Sequence, residues 1–263
     1  MRIALLQMAA VPGQVADNLA SIEQGAAEAA RAGAELLIAP ELATVGYGAG
    51  DMILGLAEPG DGAQIAGLSS IAASNGLAIV AGFPERDGDR IYNSAVFTAP
   101  QAEPVIYRKS HLYGAYERSL FTPGDPIATI IPWRGIRIGL LICYDVEFPE
   151  NVRRLALGGA DLAAVPTALP TGPYAAFISE RMIPVRAFEN ELFVAYANHT
   201  GQDDRFIYAG LSHVASPDGR TLAAASADQT GIILAEIRPQ DYVASLAPNS
   251  YLSDLLPRPD GAA

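Results

Sequence analysis

The stretch Ile136-Arg137-Ile138-Gly139-Leu140-Leu141-Ile142-Cys143-Tyr144-Asp145-Val146-Glu147-Phe148-Pro149-Glu150 reads as a strand running into a polar turn. Ile136–Ile142 is apolar except at Arg137 and Gly139, the pattern of a strand buried on both faces. Glu150–Leu157 follows as a helix with Val152, Leu155 and Ala156 on one side, and Gly158-Gly159 stops it. Leu162–Val165 is then a second short apolar strand. Strand, helix and strand in succession imply a sheet covered by helices, so the fold class is layered α/β.

The same alternation extends outward in both directions. Arg2–Gln7 and Leu36–Ala39 read as short strands. Between them Asp17 reads as the N-cap of a helix that carries Leu19, Ile22, Ala26, Ala29 and Ala30 to a stop at Gly33. A further helix is expected around Gln64–Ser74, closed by Asn75-Gly76. Leu77–Phe83 and Ile91–Phe97 form a hairpin across the turn-rich Glu85–Arg90, which favours a mixed sheet. Beyond the opening stretch, Ser179–Asn190 is a helix and Phe193–Ala197 a strand. Ala209–Val214 and Gly231–Ile237 are read as a final strand pair around the turn Ser216-Pro217-Asp218-Gly219. An irregular tail is expected from Asp241, with Pro248, Pro257 and Pro259. No repeat or low-complexity linker interrupts the chain, so residues 1–263 are expected to form one domain.

Composition narrows the function classes. The formal charge of −12 argues against nucleic acid and anionic membranes as partners. The longest apolar runs are far shorter than the ~20 residues that cross a bilayer. Arg2–Gln7 reads as a strand without the pattern of a signal peptide, so a soluble cytoplasmic protein is expected. Cys143 is the sole cysteine, which excludes an intramolecular disulfide and a cysteine-based metal cluster. Lys109 is the sole lysine among seventeen cationic residues. An isolated lysine amid arginines invites a role that the wide guanidinium fork does not fill.

In layered α/β folds ligands gather outside the carboxyl ends of strands. Glu41 follows Leu-Leu-Ile-Ala-Pro, Lys109 follows the strand Val105–Tyr107, and Cys143 ends Ile136–Ile142. A thiol with an ordinary pKa near ~8.5 is only a few per cent ionised at neutral pH, so a nucleophilic cysteine needs a base. Glu41 suits that task. Attack on a carbonyl builds charge on oxygen, which Lys109 and the backbone N–H of Tyr144 would hold. Each residue alone has an ordinary reading: a small buried hydrophobe for Cys143, an acid at a helix start for Glu41, a solvated surface cation for Lys109. Their combination is what carries weight.

At these residues the sequence resembles the nitrilase, or carbon–nitrogen hydrolase, superfamily. Its three signature segments appear as Pro40-Glu41-Leu42, as Tyr107-Arg108-Lys109-Ser110-His111-Leu112, and as Cys143-Tyr144-Asp145-Val146-Glu147-Phe148-Pro149-Glu150. The similarity runs from the opening strand to the Ser216–Gly219 turn. It implies a four-layer αββα sandwich, a second glutamate at Glu117 that orients the substrate, no metal or organic cofactor, and a homodimer or higher homo-oligomer. Tyr47, Tyr113, Tyr116, Thr167, Ala168 and Tyr174 are candidates for the substrate pocket. Asp145 and Glu147 are candidates to attract an amine on the far end of a substrate, or else purely structural acids.

The flanks of Cys143 resemble those of short bacterial aliphatic amidases, 5-aminopentanamidase-like enzymes among them. Hydrolysis of a small amide through a cysteine thioester is therefore the expected activity. N-carbamoyl amine hydrolases and nitrilases share the same three residues and remain alternatives. A non-catalytic scaffold of this family would be expected to have lost part of the set. A papain-like hydrolase would require a histidine beside the thiol, and none of His111, His199 and His213 stands in a protease-like segment. Gly46-Tyr47-Gly48-Ala49-Gly50 lacks the context of a phosphate-binding loop and is read as a flexible loop near the pocket.

Overall fold

The computed structural model describes residues 1–246 and 248–256, and it builds the chain around two six-stranded sheets. The strands are β1 (Arg2–Gln7), β2 (Leu36–Ile38), β3 (Ala78–Asp87), β4 (Arg90–Thr98), β5 (Val105–Arg108) and β6 (Ile130–Trp133). The rest are β7 (Ile136–Leu140), β8 (Leu162–Thr167), β9 (Phe193–Asn198), β10 (His213–Ala215), β11 (Thr221–Ala224) and β12 (Gly231–Glu236). One sheet has the order β12-β1-β2-β3-β4-β5 and the other β11-β10-β9-β8-β7-β6. In each, three central strands run parallel and the outer ones antiparallel. This is the mixed arrangement expected from the hairpin.

The apolar runs are uninterrupted because both faces of the central strands are covered. Ile3 and Leu5 of β1 point into a core shared with Ile138, Leu140, Val165 and Val194 of the other sheet. Ala4 and Leu6 point the other way, against Ile22 and Ala26 of helix Val15–Arg31 and Leu68 of helix Ala63–Asn75. Successive side chains of a strand face opposite sides, so one strand serves two layers at once. On the second sheet, Val152 and Leu155 of helix Pro149–Leu157 and Ile183 and Ala187 of helix Ile183–Asn190 complete the outer layer. The result is the four-layer αββα sandwich, in a single domain. No helix among the described residues is long and apolar enough to cross a membrane.

Several expectations are corrected. Asp17 is not the N-cap of the first helix, which begins at Val15 after Gln14; it lies in the first turn, where an acid favours the positive end of the helix dipole. The β3–β4 hairpin is longer than expected and turns only at Gly88-Asp89, because Glu85 and Arg86 continue the ladder opposite Tyr92 and Ile91. The Ser216–Gly219 turn joins β10 to β11, whereas β12 crosses to the other sheet and pairs with β1. Backbone pairing is open to any strand, so apolar pattern alone does not say which edge accepts it. Gly46–Gly50, read as a flexible loop near the pocket, is a buried turn around the 3-10 segment Tyr47–Ala49. The chain from Asp241 includes a short helix at Val243–Leu246, while Pro257 and Pro259 lie outside the described residues.

Candidate active site

The carboxyl ends of β2, β5, β7 and β8 converge at one end of the sandwich, and each delivers part of the site. After β2 the chain turns at Pro40-Glu41-Leu42, with Leu42 at φ +48°, a left-handed conformation that side chains rarely adopt. Gly82 of β3 makes room for that turn. Its N–H donates to the Pro40 carbonyl at 3.0 Å, and a Cβ built there would come within 2.6 Å of Glu41 Cα. His199 supports the same turn from behind, with Nε2 2.7 Å from the Glu41 carbonyl. After β7, Cys143 itself stands at φ +44° at the start of a 3-10 turn. Two side chains in this region, one beside the acid and one the thiol residue, mark where surrounding contacts enforce strain.

Lys109 directly follows β5, its N–H donating to the Asn93 carbonyl at 2.8 Å. Its ammonium donates to Glu41 Oε1 and to Glu117 Oε1, both at 2.6 Å, and all three side chains are essentially inaccessible to solvent. Glu117 sits in helix Gly114–Leu120, which places it inward rather than on the surface. Tyr47 donates its hydroxyl to Glu117 Oε1 at 2.9 Å, and the Tyr113 N–H donates to Glu117 Oε2 at 2.8 Å. Asn93 Nδ2 donates to Glu41 Oε1 at 2.7 Å. Glu41 Oε2 is buried and carries no hydrogen bond among the described residues.

The electrostatics follow from burial with one cation between two acids. Burial works against the Lys109 ammonium, but Glu117 and Glu41 together outweigh it and hold its pKa well above the usual lysine value. Burial raises the Glu117 pKa, with Lys109 opposing and Glu41 adding to the rise. The Cys143 thiol is pushed well up, first by burial and then by the Glu41 charge, with Lys109 and the Ala168 backbone N–H pulling the other way. The resting sulfur is therefore a neutral thiol that needs a base during attack. An ammonium has three donors, and two of those on Lys109 are occupied by carboxylates.

Cys143 forms the floor of a cavity of about 510 Å³. Tyr47, Tyr113, Ala168 and Tyr174 line it as expected, together with Tyr144, Glu147, Phe177 and Met182. Tyr116 and Thr167 lie off the wall. The Tyr116 hydroxyl donates to the Tyr47 carbonyl at 2.6 Å from behind, and the Thr167 hydroxyl turns back to the Val165 carbonyl at 3.0 Å. Asn93 was not anticipated, although an asparagine inside the apolar strand Ile91–Phe97 was the available signal. Phe177 and Met182 were missed because they flank and end the π-helical turn Ile178–Met182, which shifts the helical spacing.

Asp145 is fully buried and committed to structure. It accepts from Tyr107 Oη at 2.9 Å, Ser110 Oγ at 2.8 Å, the His111 N–H at 2.8 Å and the Ile142 N–H at 3.2 Å. These bonds tie the segment after Lys109 to the segment before Cys143. Asp145→Asn replaces a charged acceptor with an amide whose NH2 faces donors. It is expected to lower stability by about 1–3 kcal/mol and kcat by roughly tenfold, through misplacement of the two reactive groups. Thermal melting and steady-state kinetics on the same preparation check it; an unchanged melt with unchanged kcat would show that the network positions nothing.

A carbon–nitrogen hydrolase family model matches residues 2–245. A "Hydrolase in pqqF 5'region" from Pseudomonas protegens is 42% identical, covering 98% of this chain and 90% of that one. An (R)-stereoselective amidase from a Pseudomonas species is 37% identical over 97% of this chain and 91% of its own length. A structure of the amidase from Nesterenkonia sp. AN1, showing Michael addition of acrylamide at its active-site cysteine, superposes with a TM-score of 0.85 at 34% identity, covering 95% of this chain and 99% of that one. The chain belongs to the carbon–nitrogen hydrolase family, whose structurally similar members are amidases of the nitrilase superfamily. It is accordingly a hydrolase of non-peptide carbon–nitrogen bonds.

Proposed function

We propose that the chain hydrolyses small carboxylic amides to the acid and ammonia through a thioester on Cys143. The observation that supports this most is a buried ammonium bridging Glu41 and Glu117 at 2.6 Å each, close enough for all three charges to act on the thiol that lines the cavity. Cys143 Sγ attacks the amide carbonyl as its proton passes to Glu41, whose Oε2 is free to accept it. The remaining Lys109 donor and the Tyr144 N–H hold the oxyanion. Glu41 returns the proton to the leaving nitrogen, and ammonia departs. Water, deprotonated by Glu41 or Glu117, then hydrolyses the thioester, releasing the acid and restoring the thiol. Glu117, fixed by Tyr47 and the Tyr113 N–H, orients the amide nitrogen. The residues require no metal or organic cofactor for these steps.

The same reading includes a cytoplasmic homodimer or higher homo-oligomer. Leu157 and Val185, exposed on the two helices packed beside the nucleophile, support such pairing. Ammonia release from a panel of short aliphatic amides, N-carbamoyl amines and matching nitriles tests the activity. Release from the amides above the other two classes is expected. Release confined to carbamoyl compounds or nitriles would retain the three residues and move the enzyme to one of those reactions. No release from the folded protein on any of the three would favour a non-catalytic scaffold.

A further inference from the structure

The wall of the Cys143 cavity is apolar and aromatic, with Tyr113, Tyr144, Tyr174 and Phe177 prominent, and it holds a single charged side chain among the described residues, Glu147. This acid lies four positions after the nucleophile on the 3-10 turn Cys143–Glu147, half-buried. Neither nearby cation pairs with its carboxylate. Lys109 is taken up by Glu41 and Glu117. Arg186 donates to the Val146 carbonyl at 3.0 Å, the Glu147 backbone carbonyl at 2.6 Å and Glu189 Oε1 at 2.9 Å. A half-buried carboxylate facing an apolar space without a cation is costly unless a ligand supplies one. The surrounding aromatic faces also attract an ammonium group.

We infer that Glu147 is a specificity-determining residue, its carboxylate receiving a cationic amino group carried by the amide substrate. The inference rests on the amide-hydrolysis reading and deepens it, since Asp145, the other acid beside the nucleophile, is consumed by its structural bonds. Burial raises the Glu147 pKa to about 7, with Lys109 and Arg186 opposing. Preference for a cationic substrate therefore grows as pH rises through about 7 and Glu147 ionises, while an aliphatic amine with a pKa near ~10.4 stays charged.

The test compares kcat/KM for ω-amino amides from 3-aminopropanamide to 6-aminohexanamide, each against the n-alkyl amide in which a methyl replaces the ammonium. At least one charged member is expected to exceed its neutral isostere by about 10- to 100-fold, the range of a charge-assisted hydrogen bond. Glu147→Gln is expected to bring that ratio close to one and to flatten its rise with pH. That control separates Glu147 from Lys109 and Arg186, whose charges act on its carboxyl, and from Cys143, Tyr47, Tyr113, Tyr144 and Tyr174, which line the same cavity. Ratios near one throughout the wild-type series, or a ratio that Glu147→Gln leaves intact, overturn the inference while amide hydrolysis stands. Absence of hydrolysis for every charged and neutral amide overturns the amidase reading itself.

Discussion

Cys143→Ala is expected to slow amide turnover by at least ~10⁴-fold, the scale seen when a covalent nucleophile is deleted from a hydrolase. No other thiol exists in the chain to substitute for it. The oxyanion donors would remain, yet they stabilise a charge that develops only after sulfur attacks. The fold should survive, because the side chain lost is small and its positive φ is imposed by the surrounding turn, not by the sulfur. Circular dichroism and melting of the variant should therefore match wild type within a few degrees. Residual turnover within a hundredfold of wild type, from protein free of wild-type contamination, would refute a thioester route.

Lys109→Met should be the most damaging change outside the nucleophile. It leaves Glu41 and Glu117 facing each other in a site closed to solvent, each having lost a 2.6 Å charge-assisted bond. Removing one partner from a buried ion pair costs about 3–5 kcal/mol. Glu117 would relieve that cost by taking up a proton, since burial already raises its pKa and the neighbouring Glu41 charge raises it further. A neutral Glu117 no longer orients the amide and the oxyanion loses its cation, so kcat should fall by roughly 10³-fold or more. Lys109→Arg keeps the charge but not the shape: a planar fork does not replace a point charge held between two carboxylates. Denaturant midpoints report the stability change and initial rates the chemistry. An arginine variant with near wild-type kcat would show that only charge matters here.

Much of the site was legible because its chemistry depends on residue types that stand out. The sole cysteine and the sole lysine each follow a strand, as does Glu41 after its Pro40, and the structure brings all three together. Glu117 was placed by resemblance, since its helix, Gly114–Leu120, is too short to show periodicity in the sequence. Asn93 stands out in its apolar strand, but its partner was not visible, since it reaches Glu41 across β3, which pairs with both β2 and β4; the π-turn residues depend on a helical irregularity without a sequence marker. Tyr116 and Thr167 show the converse. Both lie next to the right residues in sequence, but the backbone turns their hydroxyls away from the cavity.

By itself the sequence determined the layered α/β class, the strands and helices that alternate through the chain, and the acid, cation and thiol to which catalysis is assigned by proposal. These follow from local apolar pattern and residue chemistry, which neighbours along the chain already express. Tertiary structure alone decided that β12 closes against β1 rather than beside β10, that one lysine serves two buried acids, and that Asp145 is a strut while Glu147 faces the cavity. Edge pairing, burial and the direction of a side chain on a tight turn depend on what packs against them from distant parts of the chain, and two acids two positions apart on one turn thereby acquire opposite roles.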